Sequence, residues 1–365
     1  MKNAAVLFCV AAAVACTKSS ISYEAPDQEI SIRPVTRVSL TKAAAVTDGK
    51  MPLGNDLKIY AYFDENQTSA PVAGVGNNYQ TAYFGVSGVV FTAKDKTEAS
   101  SDRTWAGKGQ TYYWPRTGSM LFAGYAPATF DNGTISYSPS TNSFTLAGPY
   151  VQPALDATVD LLYSPYSSAA SCESHQAVEM EFKHALAWIT FKVKTDETAA
   201  DVYRITGLKV NKLANKASEA TFSITGAEWT LVNDSDVDKY KDVAFYEKAA
   251  AASPISVVSN EIEIADEDKK DAGLVIPVTL SDEELVVNYE MKVAVTGAYV
   301  SQTFTQKLKD LGGIDKWESG KHYTYVINFG ALNPIEVKPT VDQWTESSVT
   351  VPVSGESGSA SGTGE

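Results

Sequence analysis

The sequence predicts an all-β chain, and three observations carry that reading. Apolar residues alternate with a period of two, clusters of Gly, Pro, Asn and Asp bound each alternating run, and helical periodicity is weak throughout. Leu57, Ile59, Ala61 and Phe63 share one face of the first clear strand. Val178, Met180 and Phe182 form a second face opposed by Glu179, Glu181 and Lys183. Ala187, Ile189, Phe191 and Val193 follow at once, opposed by Trp188, Thr190 and Lys192. Val287, Tyr289, Met291, Val293 and Val295 make a long alternating face, and Tyr323, Tyr325, Ile327 and Phe329 make the next. A short helical turn near Leu308 to Trp317 is the best exception. Val, Thr and Tyr are plentiful, as pleated, half-buried surfaces prefer.

The N-terminus is read as a processing signal and set apart from the fold. Lys2 precedes an apolar stretch, Ala4 to Ala15, that is too short to span a bilayer and ends in small residues, which is the form of a signal peptide over residues 1–15. Ala13-Val14-Ala15-Cys16 resembles a bacterial lipobox, with Ala13 where Leu is usual. Cys16 is therefore the expected lipidation site. Each buried methylene of an acyl chain contributes about 0.8 kcal/mol, so several chains would hold the precursor on a membrane leaflet. Cys9 leaves with the signal, and Cys172 is then the only thiol left, which excludes an intramolecular disulfide from the mature chain. Nothing after residue 16 is long and apolar enough for a transmembrane helix. With 44 Asp and Glu against 30 Lys and Arg, the chain repels a phosphate backbone, and nucleic acid is not an expected partner.

Chain length suits two domains. Ser167-Ser168-Ala169-Ala170-Ser171 reads as a small-residue linker between a loop-rich, proline-rich half (38–170) and a more regular one (171–334). Residues 354–365 hold Gly, Ser and Glu with almost nothing apolar and are expected to stay unfolded.

The constellations that carry catalysis are missing from this reading. His175, His184 and His322 lack metal-ligand spacing, and Cys172 near His175 is only a lone pair. Asp234, Asp236 and Asp238 alternate as in a calcium loop, but Lys239 replaces the required Gly and Phe245 the bidentate Glu. Gly74-Val75-Gly76 precedes no helix, and no Gly-x-Ser-x-Gly elbow occurs. No catalytic residue, metal or cofactor is assigned, and the chain is not read as an enzyme.

Several phrases then read together: Tyr113-Trp114-Pro115 with Met120 to Pro127; Asp160-Leu161-Leu162-Tyr163; Phe182 to Val193; Trp317-Glu318-Ser319-Gly320-Lys321-His322-Tyr323; Ile335-Glu336-Val337 with Val341-Asp342-Gln343-Trp344. In this order they resemble the fimbrillin family of anaerobic Gram-negative bacteria, subunits of type V pili. The resemblance implies two tandem transthyretin-like β-sandwiches, export as an outer-membrane lipoprotein, and an Arg- or Lys-specific protease that removes an early strand. It further implies that a C-terminal strand of the next subunit fills the groove so opened.

Here the early strand is Glu29 to Val35, with Ile30 and Ile32 on one face, inside a lipidated propeptide of residues 16–37. Arg37, before Val38, is the expected cut, with Arg33 and Lys42 as alternates; Arg33 precedes Pro34, a bond that trypsin-like proteases resist. The donor candidates lie within 335–353: Ile335, Val337, Val341, Val349, Val351 and Val353. Partners on this reading are other pilus subunits, as a homopolymer or with minor pilins, together with the maturing protease and the outer membrane. The competing reading is a monomeric surface lipoprotein that binds glycan or protein ligands through exposed aromatics among Tyr79, Tyr83, Tyr112 and Tyr150.

Overall fold

A computed structural model describes residues 28–36, 51, 54, 56–66, 79, 81–94, 103–128, 134–141, 143–147, 160–196, 201–214, 221–230, 240–250, 252–265, 273–330 and 335–343. The first ten strands are β1 (Ile32–Thr36), β2 (Leu57–Asp64), β3 (Thr81–Ala82), β4 (Val89–Ala93), β5 (Trp105–Gly107), β6 (Ser119–Ala126), β7 (Thr134–Ser138), β8 (Ser143–Ala147), β9 (Leu162–Ser171) and β10 (Val178–His184). Next come β11 (Ala187–Thr195), β12 (Tyr203–Ala214), β13 (Thr221–Ser223), β14 (Glu228–Thr230), β15 (Tyr240–Glu247) and β16 (Ile255–Ser256). The last are β17 (Ile262–Glu263), β18 (Leu274–Val275), β19 (Glu284–Lys292), β20 (Tyr299–Lys307), β21 (Lys321–Phe329) and β22 (Glu336–Gln343). The all-β expectation holds, and the helical turn expected near Leu308 shrinks to one 3-10 turn, Leu308–Asp310.

The first sheet is not one layer of a sandwich. Its strands run β2-β4-β5-β1-β10-β9-β6, and β6 pairs back onto β2, so seven strands close into a barrel, with short β3 paired to β2 beyond the end of β4. β6 makes closure possible. All eight of its residues are buried, and it ladders with β2 on one side and β9 on the other. At Gly124 the two strands come so close that a Cβ would lie 2.7 Å from Ile59 Cδ1 and 2.8 Å from the Lys58 carbonyl oxygen. A ring with no free edge needs no facing sheet, because its inward side chains pack on one another. The interior holds Ile30, Ile32, Leu57, Ile59, Phe91, Trp105, Phe122, Met180 and Phe182.

The second unit is a sandwich. One layer runs β17-β11-β21-β22 with β18 also on β11; the other runs β15-β12-β19-β20 with β16 on β12. β11 and β21 lie parallel, from Trp188 against His322 to Thr195 against Phe329. The alternating faces read from the sequence at Ala187 to Val193 and Tyr323 to Phe329 supply its core, with Ile205, Leu208, Val210, Leu285 and Val287 from the other layer. The long face read from Val287 onward stops early: Met291 is exposed, and Val295 sits in the turn between β19 and β20.

The passage between units comes later than the sequence places it. The expected boundary at 170/171 falls at the end of β9, and β10 beyond it still pairs with β9 and β1 in the barrel. Only Ala185 and Leu186 link β10 to β11, and both are fully buried. Trp229 Nε1 and Ser319 Oγ donate to the Ala185 carbonyl at 2.6 and 2.9 Å, and the Gly320 amide donates to Leu186 at 2.9 Å. A four-stranded sheet, β7-β8-β13-β14, draws two strands from each side of that link. Beneath it Phe144, Tyr163, Leu186, Phe222, Leu274 and Ile276 form a shared third core.

Two predictions follow from this packing. A Cβ at Gly273 would stand 1.9 Å from the Ile189 carbonyl oxygen, in backbone that cannot give way. Gly273→Ala is expected to destabilise the chain by about 3 kcal/mol, read from denaturant midpoints. The second concerns His322, stacked on Trp188 with ring centroids 3.8 Å apart and 2.9 Å from Thr190 Oγ1. Burial holds its imidazole down to about 4, with Asp342 acting the other way and Lys192 adding to the depression. The unfolded imidazole, near 6.5, binds a proton that the folded one refuses, so stability is full above that value and falls as pH drops toward 4. His322→Gln should remove about 2 kcal/mol of the loss between roughly pH 7 and 5, measured from denaturant midpoints at the two values.

Candidate functional site

β1 occupies the position that the early strand requires. Ile30 and Ile32 are 0% exposed and point into the barrel, with Pro34 buried behind them and Arg33 facing outward. This parity follows from the pleat: alternate residues face opposite sides, so one apolar row is buried and the residues between reach solvent. On one side β1 lies parallel to β10, with Ile32 opposite Val178 and Thr36 opposite Phe182, and the Val178 amide donates to the Ser31 carbonyl at 2.8 Å. On the other side the contact is divided. β5 meets β1 only at Trp105 opposite Ile32. Farther back, the Ile30 amide donates to the Tyr112 carbonyl at 2.7 Å and the Trp114 amide to Gln28 at 3.0 Å.

Two ion pairs hold the register from outside, Lys94 with Glu29, and Arg33 with Glu179 at 3.2 Å. Both pairs are partly exposed, and such pairs contribute about 0–1 kcal/mol each. Burial of the two isoleucines, at roughly 1.5–3 kcal/mol each, outweighs them. The strand is held by its apolar face and its ladder.

Arg33 lies in mid-strand inside β1, where its side chain meets Glu179. Arg37, Lys42 and Cys16 lie outside the described residues. At the other end, β22 pairs with β21 over its whole length, from Lys321 opposite Gln343 to Asn328 opposite Glu336. Val337 is buried in the second core with Ile335 packed against it, whereas Val341 is 46% exposed. Val349, Val351 and Val353 lie outside the described residues. Early strand and β22 therefore belong to different sheets, and the structure does not bring them together.

The aromatics offered for ligand binding sit elsewhere than expected. Tyr79 is 0% exposed with its hydroxyl against Ser119. Tyr83 and Tyr112 pack half-buried against the barrel core, where Tyr112 is edge-on to Phe84 at 5.0 Å. Tyr150 is outside the described residues. Tyr79 belongs to the core shared by the two units and Tyr83 and Tyr112 to the barrel, so these three do not form an exposed platform.

Sequence reasoning missed the walls of the groove. Trp105 carries no sequence signal of this role, Tyr112 reads there only as an exposed aromatic for ligand binding, and β10 only as a strand face. Parallel pairing between residues 146 positions apart, as for Arg33 and Glu179, leaves no local signal. The matching lengths of apolar rows at 30–34 and 178–182 are the only hint. His184, set aside as a metal ligand, is buried with Nδ1 2.9 Å from Asp160 Oδ1, beside the link between units. Burial pushes the Cys172 thiol up to about 11, which keeps it protonated.

A fimbrillin-like family profile matches residues 41–344. No curated protein matches the chain. Among solved structures, a fimbrial protein from Bacteroides vulgatus ATCC 8482 superposes with a TM-score of 0.59 at 18% identity, over 86% of this chain and 99% of that one. A candidate cell adhesion protein from Bacteroides ovatus ATCC 8483 gives 0.51 at 14% identity, over 87% and 97%. Another from Bacteroides uniformis ATCC 8492 gives 0.50 at 15%, over 87% and 100%. At these identities the likeness is one of fold, and it runs through both units. The family profile spans more than half the residues, and on that ground the chain belongs to the fimbrillin-like family.

Proposed function

We propose that this chain is a structural subunit of a cell-surface fimbria that serves adhesion, exported as an outer-membrane lipoprotein and assembled by protease-triggered strand exchange. The observation that carries the reading is the complete burial of Ile30 and Ile32 in a barrel closed by the first described strand. Every other barrel strand follows residue 37, so one cut there separates β1, with whatever precedes it, from the rest of the barrel. The groove left behind would have unpaired edges on β5 and β10 and an uncovered apolar floor, an arrangement that draws in another strand.

Geometry favours Arg37 over Arg33 as the cut. Arg33 lies within β1 and a protease would first have to peel the strand away, whereas Arg37 follows its last residue. For the donor, Ile335 and Val337 are spoken for by their own core, and the role passes to the residues beyond Gln343. Val349-Thr350-Val351 repeats the chemistry of Ile30-Ser31-Ile32, with two β-branched apolar residues around a small hydroxyl. The proposal also reads the second unit as a transthyretin-like sandwich, on the parallel β11–β21 pair flanked by antiparallel β22. The role is mechanical and not enzymatic. Its partners are further pilus subunits, an Arg- or Lys-specific protease, and the membrane through lipid on Cys16.

N-terminal sequencing of protein sheared from cells is expected to begin at Val38; if every molecule begins at acylated Cys16, the processing scheme is refuted. A chain lacking residues 349–365 is expected to be trimmed normally yet to form no high-mass ladder on unheated gels. Ladders of undiminished length from that chain would rule out the tail as donor.

A further inference from the structure

A cleft of about 990 Å³ opens between the β13–β14 hairpin, the segment from Pro277 to Glu283, and the turn that precedes β21. Half-buried Trp229 contributes aromatic surface to it, with Trp317 beside it only 1% exposed. The polar edges of both rings are engaged on the protein side: Trp229 Nε1 donates to Ala185 at 2.6 Å, and Trp317 Nε1 donates to the Tyr325 hydroxyl at 2.9 Å. Trp229 also packs on Phe222, centroids 5.0 Å apart, so the half-buried indole is fixed in orientation.

Glu283 is the unusual member. The residue lines the cleft, yet it is only 5% exposed. The Ser281 amide donates to Oε2 at 2.5 Å, the Leu308 amide anchors its main-chain carbonyl at 2.9 Å, and among the described residues no cation pairs with it. With Oε2 taken by the Ser281 amide, Oε1 keeps its acceptor capacity for a donor that enters the cleft. Around the rim, Glu228 and Glu318 face Lys316 and Lys321, with Lys316 and Glu318 2.7 Å apart. Charges of both signs at close range disfavour a strongly anionic or cationic ligand. What fits is a neutral molecule rich in hydroxyls and carrying a flat C–H face.

We propose that this cleft is a binding site for neutral oligosaccharide, with Glu283 accepting hydrogen bonds from sugar hydroxyls and Trp229 stacking on a pyranose face. Hydroxyl donation to a carboxylate is a charge-assisted bond, and an indole held by its edge supplies apolar surface at little entropic cost. The Lys316 and Lys321 ammoniums add donors for the ligand's oxygens. The site is made only of residues from 226 onward, so it stands whether or not strand exchange takes place.

The test uses the untrimmed full-length chain, titrated calorimetrically with short neutral gluco-, manno- and galacto-oligosaccharides, with sialylated and sulfated glycans as charged comparisons. At least one neutral series is expected to bind with a Kd of about 1 mM or tighter. Glu283→Gln should weaken it about tenfold or more. Thr279→Trp, at an exposed position on the wall, should block it without lowering the melting temperature, which separates loss of the site from loss of the fold. Absence of binding by the unaltered chain, binding that survives in both variants, or binding confined to charged glycans would each overturn the proposal.

Discussion

Closure of the first barrel depends on a strand that the chain lays down before any other described element. β1 bridges β10 and the β5 region, and the ring has no other connection there. Every other strand of the barrel follows residue 37, so a single break there separates β1 from all of them. Its side chains complete the interior, and its backbone satisfies donors and acceptors that would otherwise face solvent on two flanking segments. Two buried isoleucines at roughly 1.5–3 kcal/mol each are a sizeable fraction of the about 5–15 kcal/mol that keeps an ordinary domain folded. A body built this way is complete with the strand and in deficit without it. On the proposed reading, that asymmetry would let a subunit be stored in one form and assembled in another.

The two units do not behave as beads on a string. Strands β7 and β8 from one side of the Ala185–Leu186 link share a sheet with β13 and β14 from the other, joined where β8 pairs with β13, and the aromatic residues beneath them belong to both. The link itself is buried, and hydrogen bonds from Trp229, Ser319 and Gly320 hold its carbonyls. The same residues, Trp229 and Ser319, line the polar cleft, so the contacts that fix the units also fix the cleft walls.

Much of this was legible in the sequence, because alternation reports which face of a strand is buried. The faces at Val178 to Phe182, Ala187 to Val193 and Tyr323 to Phe329 are buried as read. So are Ile30 and Ile32. Alternation does not report partners. It could not distinguish a sheet that curls shut from one that stacks on a second, because β6 is buried on both sides and its run Met120 to Ala126 fits either. It could not place β10 with the barrel either, since the small residues at 167–171 look like a linker and lie instead in β9. Among the site residues, Val337 has the same pattern as a donor and as a core residue, and only the pairing of β22 with β21 separates the two. Glu283 left no signal at all, since a carboxylate in an acidic chain gives no hint of burial.

The fastened link has a mechanical corollary. A body whose waist is clasped from both sides carries tension through backbone pairing in shear and offers no soft point at mid-length. In any filament made by threading one such body into the next, curvature and give under flow would therefore collect at the joints. Its stiffness would then be tuned by how tightly each inserted ribbon fits, without change to the bodies themselves.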